Sequence, residues 1–160
     1  MAMQQFSRSL PMMLYRTLDA VMPRFRQIFN EFGLTEQQGR VLRVLWEHEE
    51  IALGELARLS LLPTPSLVGI VDRLSSTGLV TRRRSDKDRR VVHILATDKG
   101  QALEAEIMPR IAAAYASLKQ AVDADAWRQA LDGLQQIAVA AGSAEHSGEA
   151  MRSRAHGTKE

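Results

Sequence analysis

Residues 63–90 read PTPSLVGIVDRLSSTGLVTRRRSDKDRR, and the two halves of this stretch differ in character. The first half has helical spacing. Leu67, Ile70, Val71 and Leu74 fall on one side, Thr64 and Ser66 give a small polar N-terminus, and Gly78 closes the run. The second half is cationic. Between Arg82 and Arg90 stand six basic and two acidic residues, a local charge of +4, whereas the whole chain carries only +2. Everything outside the segment therefore sums to −2. A helix followed at once by a cationic loop suits a grooved polyanion: the helix enters a major groove and the loop meets phosphates.

The flanking residues extend this pattern. GELARLS (54–60) predicts a short helix with Leu56 and Leu59 facing inward, and Leu61 to Pro63 a turn, so 54–77 has the form of a helix–turn–helix. The same pattern also describes an αα-hairpin that packs a core and does nothing else. Likewise, a charge run by itself is most simply a solvated turn. Their adjacency favours the nucleic-acid reading. Thr64, Ser66 and Val68 are expected at base edges, with Gly69 permitting close approach, and Arg73 fits a phosphate or a base edge. Residues 79–84 and 91–95 predict two strands joined through SDKDRR, a hairpin. Arg82, Arg83, Arg84, Lys87, Arg89 and Arg90 supply its charge, and Asp86 and Asp88 are expected to pair with Arg89 or Arg90 and shape the loop.

On the N-terminal side, Leu10, Leu14, Leu18, Val21, Phe25, Ile28 and Phe32 mark one long helical stripe. Ser9 is expected to cap it, Pro11 fits its first turn, and Gly33 ends it. Pro23 predicts a kink, at a cost of about 3 kcal/mol if uncompensated. Thr35 caps a second helix, 36–48, which is followed by the acidic Glu47, Glu49 and Glu50 and a very short strand at 51–53. On the C-terminal side, Thr97 caps a long helix reaching about Val122, with Leu103, Ile107, Ile111, Ala114 and Leu118 inward and a kink at Pro109. Asp123 starts a last helix with Trp127, Leu131, Leu134, Ile137 and Ala141 in register.

The fold class read from this order is mainly α with a small β-hairpin wing. The expected organisation is an N-terminal dimerisation helix (1–34), a winged helix–turn–helix lobe (35–97), C-terminal dimerisation helices (98–142) and a disordered tail (143–160), where periodicity is lost. A centre of roughly 60 residues cannot bury all the terminal stripes. A second copy of the chain can, which predicts a two-fold homodimer.

Composition narrows the class further. Hydrophobic residues at 45% and charged residues at 25% are ordinary for a soluble globular protein. With no cysteine, disulfides, thiolate zinc sites and thiol redox sensing are excluded. No apolar run is long enough for a bilayer, and MAMQQFSRSL lacks the apolar core of a signal peptide, so a cytoplasmic location is expected. The four histidines, 48, 93, 146 and 156, have no metal-binding spacing. His93 is expected as an exposed strand residue. No G-x-S-x-G elbow or phosphate-cradling glycine loop is present, and the carboxylates form no acid–base pair. Neither an enzyme nor a cofactor or metal is expected.

Three segments carry a family resemblance: GLTEQQGRVLRVL (33–45), PSLVGIVDRLSSTGLV (65–80) and DRRVVHILATDKG (88–100), the last with D-R-R at 88–90 and T-x-x-G at 97–100. Over roughly residues 10–141 the chain resembles the MarR family of winged helix–turn–helix transcriptional regulators. LTEQQ and PSLVGI are nearest to its repressors of aromatic-acid degradation, the homoprotocatechuate type. The resemblance implies a homodimer on a pseudo-palindromic double-stranded DNA operator. Ser66 and its neighbours, Thr64, Leu67 and Val68 among them, would read the major groove. Arg73, Arg82, Arg84 and Lys87 would add contacts, and Arg89 or Arg90 would reach the minor groove. Many members place Thr-Arg where this chain has Val68-Gly69, which shifts weight toward thymine-methyl contacts and shape reading by the wing. The resemblance also implies a pocket for a small aromatic or phenolic acid between dimer helices and lobe. Met13, Tyr15, Arg16, Arg43, Trp46 and His48 are its candidate residues, each also open to an ordinary packing, surface or ion-pair role. Two other readings stay open: a DNA-binding protein without an effector, and a winged-helix module that holds a protein partner.

Overall fold

A computed structural model describes residues 6–85, 88 and 90–156, with the backbone alone over 143–156. A 3-10 turn (Phe6–Arg8) leads into α1 (Leu10–Asn30), α2 (Glu36–Trp46), β1 (Ile51–Ala52), α3 (Leu53–Ser60) and α4 (Thr64–Ser76). Strands β2 (Val80–Arg84) and β3 (Val92–Ala96) follow, then α5 (Asp98–Gln120) and α6 (Ala124–His156). The chain divides into two compact units, residues 1–114 and 115–160. Among the described residues, no helix is long and apolar enough to cross a membrane.

Three helices of the first unit end in the same way. The N–H of Leu34, Leu62 and Leu79 donates to the carbonyl five residues earlier, on Phe29, Ala57 and Leu74, at 2.9–3.0 Å. The residue before each of these leucines has a positive φ: Gly33 at 68°, Leu61 at 53° and Gly78 at 74°. This 6→1 closure satisfies carbonyls that a helix end otherwise leaves open. Leu34, Leu62 and Leu79 are buried, so each closure also drives an apolar side chain into the core. The two Gly-Leu ends accord with the sequence, although the regular part of α1 stops at Asn30, before Gly33.

Helix starts differ in kind. Thr35 and Gln38 form a reciprocal capping box, Gln38 N–H donating to Thr35 Oγ1 at 3.2 Å and Thr35 N–H to Gln38 Oε1 at 2.8 Å. Thr97 caps α5 by accepting from Gly100 N–H at 3.1 Å. Ser9, expected to cap α1, does not. Its hydroxyl donates backward to the Phe6 carbonyl at 2.8 Å, because the preceding 3-10 turn offers an acceptor within reach.

The core of the first unit gathers Phe25, Ile28 and Phe29 of α1, Val41, Leu42 and Leu45 of α2, Leu56 of α3, Leu67, Ile70, Val71 and Leu74 of α4, and Ile107 and Ile111 of α5. Gly39 is buried with the Phe29 ring against it; a Cβ there would overlap the ring. On α3 the inward positions are Leu56, Ala57 and Ser60, whereas Leu59 is 38% exposed. The α3 register thus steps by four from Leu56, not by three. Ser60 fits the core because its hydroxyl donates to the Leu56 carbonyl at 2.6 Å. Arg110 of α5 lies over the Phe32 ring, 4.9 Å from its centre, and pairs with Glu31.

The sheet is antiparallel with order β1-β3-β2. The expected hairpin is present, Arg82 opposite Ile94 and Arg84 opposite Val92, and β1 adds a third strand with Ile51 opposite Ile94. His93, expected as exposed, is half-buried. It lies opposite both Ala52 and Arg83, and its Nδ1 is 3.8 Å from Glu50 Oε1. The third strand pairs with the edge of β3 that a two-stranded hairpin would leave open.

In the second unit, Asp123 Oδ1 accepts from the N–H groups of Asp125 and Ala126 at 2.9 and 3.1 Å and starts α6. Lys119 sits 5.9 Å from the centre of the Trp127 ring. The α6 backbone is helical to His156, although disorder is expected from 143. Missing periodicity there signals the lack of a one-sided apolar face, and does not by itself forbid a helix. Leu131, Leu134 and Ile137 share a helix face and are exposed, as are Leu10, Leu14 and Leu18 on the first half of α1.

Candidate nucleic-acid interface

The reading surface begins with α3, the turn and α4. Arg40 of α2 steadies the turn: it pairs with Glu36 at 2.6 Å and donates to the Ser60 carbonyl at 3.2 Å, at the C-terminal end of α3. Beyond the turn, α4 divides cleanly. Leu67, Ile70, Val71 and Leu74 are buried, while Thr64, Pro65, Ser66, Val68, Asp72 and Arg73 are exposed. Leu67 was expected to read DNA, but at 0% exposure its side chain fixes α4 to the core instead. Thr64, Ser66, Val68 and Arg73 form an open polar and small-apolar face at the helix N-terminus and along its outer side.

Among the described residues, Arg82 ties the wing to this helix. Arg82 pairs with Asp72 at 2.7 Å, and its Nη2 donates to the Val68 carbonyl at 3.4 Å. Its guanidinium, expected on DNA, is therefore engaged with the reading helix and cancels a carboxylate on that face. Side chains of a strand alternate between faces. Arg84 thus shares the α4 side with Arg82, while Arg83 lies on the other side and pairs with Glu50. Arg84 is exposed and makes no ion pair among the described residues, and the same holds for Arg73. Lys87, Arg89 and Asp86 fall outside the described residues.

At the end of the loop, Asp88 accepts from the Arg90 backbone N–H at 3.0 Å and from its Nε at 3.2 Å. The expected role of Asp88 as a loop-shaping partner holds. These two bonds, the backbone one foremost, hold the Asp88 carboxyl below the usual aspartate value. Arg90 is highly exposed despite the pairing, with a side chain 92% accessible.

The six effector candidates lie on two helices. Met13, Tyr15 and Arg16 are exposed on the first half of α1, Arg43 and Trp46 are half-buried on α2, and His48 is exposed just past its end. Trp46 has a definite partner: its indole N–H donates to the Gly100 carbonyl at 3.0 Å, joining α2 to the start of α5. An open, shallow groove on one face of α1 is lined by Pro23, Arg26, Gln27, Asn30 and Glu31, and none of the six candidates lines it. These lining residues recur at helical spacing, but they are mostly polar and gave no apolar signal in the sequence.

A helix–turn–helix whose second helix carries an open N-terminal face, bridged by Arg82 to a cationic three-stranded wing, defines a winged helix–turn–helix DNA-binding protein. Comparison with known proteins agrees. The MarR family model matches residues 34–92. The homoprotocatechuate degradative operon repressor of Escherichia coli is 35% identical over 121 residues, covering 76% of this chain and 82% of the repressor. Among solved structures, NadR in complex with 4-hydroxyphenylacetate is 30% identical with a TM-score of 0.73, covering 86% of this chain and 97% of NadR. CouR bound to a 23-mer DNA duplex is 29% identical with a TM-score of 0.77, covering 86% of this chain and 98% of CouR. The chain belongs to the MarR family and is a sequence-specific DNA-binding transcriptional regulator.

Proposed function

We propose that the protein is a homodimeric repressor that holds a pseudo-palindromic operator through α4 and the wing, and releases it on binding a small aromatic or phenolic acid. The observation that carries this reading is the exposed face of α4, with Thr64, Ser66, Val68 and Arg73, to which Arg82 ties a wing whose Arg84 and Arg90 are also exposed. Ser66 and Thr64 hydrogen-bond base edges, Val68 meets thymine methyls, and Arg73 and Arg84 neutralise phosphates. Arg90, with Arg89 and Lys87, serves the minor groove and the adjoining backbone. Two such surfaces must lie about 34–36 Å apart to enter successive major grooves. The exposed stripes of α1 and α6 supply the self-association this needs. Acting on DNA, the protein works in the cytoplasm.

The aromatic-acid part is supported by the E. coli repressor of homoprotocatechuate degradation and by the 4-hydroxyphenylacetate held by NadR. In this chain Arg16 and Arg43 offer a carboxylate its guanidinium partner. Met13, Tyr15 and the Trp46 ring offer an apolar wall, and His48 a polar rim. Such a ligand shifts operator binding only by its differential affinity for the bound and released arrangements.

Purified protein mixed with the DNA flanking its own gene tests both parts. A retarded complex is expected whose log affinity falls steeply with log salt and which dissolves as 4-hydroxyphenylacetate or a related acid is added. Binding without sequence preference, or with a flat salt response, overturns the DNA reading. A complex that persists through a panel of aromatic acids, with no thermal shift of the free protein, overturns the effector reading alone.

A further inference from the structure

The T-x-x-G at 97–100 has no role in the DNA surface, yet its residues make a dense set of contacts with the end of the reading helix. Three successive carbonyls leave α4 and enter β2, those of Thr77, Gly78 and Leu79, and all three are taken by the start of α5. Lys99 Nζ donates to the Thr77 carbonyl at 2.8 Å, Thr97 Oγ1 to the Gly78 carbonyl at 2.6 Å, and Thr97 N–H to the Leu79 carbonyl at 3.1 Å. Gly100 completes the fit. It is buried, and a Cβ there would overlap the Leu79 carbonyl oxygen, so the two backbones meet with no side chain between them. From the other side, Trp46 of α2 donates to the Gly100 carbonyl at 3.0 Å.

The charges agree with this arrangement. The C-terminal end of α4 carries partial negative charge, and it meets the Lys99 ammonium and the partially positive N-terminus of α5. The close packing of Gly100 on buried Leu79 leaves little freedom to slide, because the Leu79 carbonyl would lose the Thr97 N–H, while the exposed Thr77 and Gly78 carbonyls add direction to the contact. The orientation of α4 is therefore slaved to the first turn of α5, a helix that runs on for 23 residues to Gln120.

We propose that the first turn of α5 is a steering joint for the reading helix. Thr97, Lys99 and Gly100 are its positioning residues, and Trp46 fixes the joint to α2. The joint sets the angle at which each α4 enters its groove, and so sets the spacing between half-sites that a dimer accepts. The inference rests on the reading of α4 as the DNA-reading helix of a homodimer.

The test uses the full chain. The wild-type protein first selects its preferred operator from a pool of random duplexes. Dissociation constants are then measured for that operator and for versions with the centre lengthened or shortened by two base pairs. The wild type is expected to bind the altered spacings at least tenfold more weakly. In the double variant Lys99→Met, Trp46→Phe, which keeps both apolar bodies and removes the donors, that penalty should shrink to about threefold or less. Affinity for the native spacing should fall as well. Gly100→Ala should act in the same direction; should it fail to fold by circular dichroism, the double variant decides. An unchanged spacing penalty in the double variant, with or without a lower Tm, means that these contacts only stabilise the fold and overturns the joint. Failure of the wild type to select any sequence is a separate result that overturns the DNA reading and this inference with it.

Discussion

Leu61 takes the left-handed backbone position that Gly33 and Gly78 take at the other two helix ends, and it is 81% exposed. A side chain there costs about 1–2 kcal/mol relative to a right-handed conformation. Leu61→Gly removes the strain but adds unfolded-chain freedom, so a net gain of about 1 kcal/mol is expected. For a chain of this size, that raises Tm by about 2–4 °C in a thermal melt, with operator affinity unchanged. Asp88 gives a second prediction. Its carboxyl is held low first by the Arg90 backbone N–H and then by the Arg90 side chain. In a carbon-detected NMR titration, Arg90→Ala should raise the Asp88 pKa while leaving it below the ordinary aspartate value. Because the folded value is depressed, the stabilising contribution of this turn is complete above the unfolded aspartate pKa and is lost as pH falls through the folded one. Some residue roles were legible in the sequence and some were not. Thr64, Ser66 and Val68 lie exposed as read. Leu67 satisfied two patterns at once, a reading-helix position and a core position, and burial decided between them. Arg82 belonged to a charge run, and nothing local indicated that Asp72, ten residues upstream, would claim it.

The wing shows how an element divides its charge. Arg82 and Arg83 are engaged inside the molecule, with Asp72 and Glu50, whereas Arg84 makes no ion pair among the described residues. Arg84→Ala should therefore flatten the slope of log affinity against log salt by about two for a dimer, one counterion per protomer. Arg83→Ala should leave the slope within error. Fluorescence anisotropy across a salt series distinguishes them, and equal effects would mean that both reach phosphate. Most elements were written locally. Gly33 and Gly78 announced two helix ends, Thr35 a helix cap, and the β-branched pair Val91-Val92 a strand, which begins at Val92. The third end, at Leu61-Leu62, has the same geometry without the glycine that signals it. The short strand at 51–53 was read and is present as Ile51–Ala52, but its place beside β3 was not legible, since a two-residue strand is defined by a partner far away in sequence.

At the scale of the whole molecule, the stripes of α1 and α6 are each exposed within their own unit, and each is proposed as an association surface. Leu10, Leu14 and Leu18 are exposed on one helix, and Leu131, Leu134 and Ile137 on the other. Exposed apolar rows at helical spacing mark association surfaces. Leu131→Glu with Ile137→Glu should turn a dimer into a monomer by sedimentation, lower operator affinity by at least a hundredfold, and leave the near-ultraviolet signature of the first unit in place. A double variant that still sediments as a dimer would remove α6 from the association surface. The need for a partner was legible because the stripes are too long for the centre they flank. The arrangement that covers them was not, because periodicity tells which side of a helix is apolar and nothing about what lies against it.

The residues expected to read DNA and the stripes expected to join the copies are different residues, at separate positions along the chain. A copy with a ruined α4 but intact stripes would still be accepted as a companion by a healthy one. Such a pair could grip only half an operator, so a defective allele expressed beside the normal gene would silence much of its product. The phenotype would be dominant, and raising the dose of the healthy gene would relieve it.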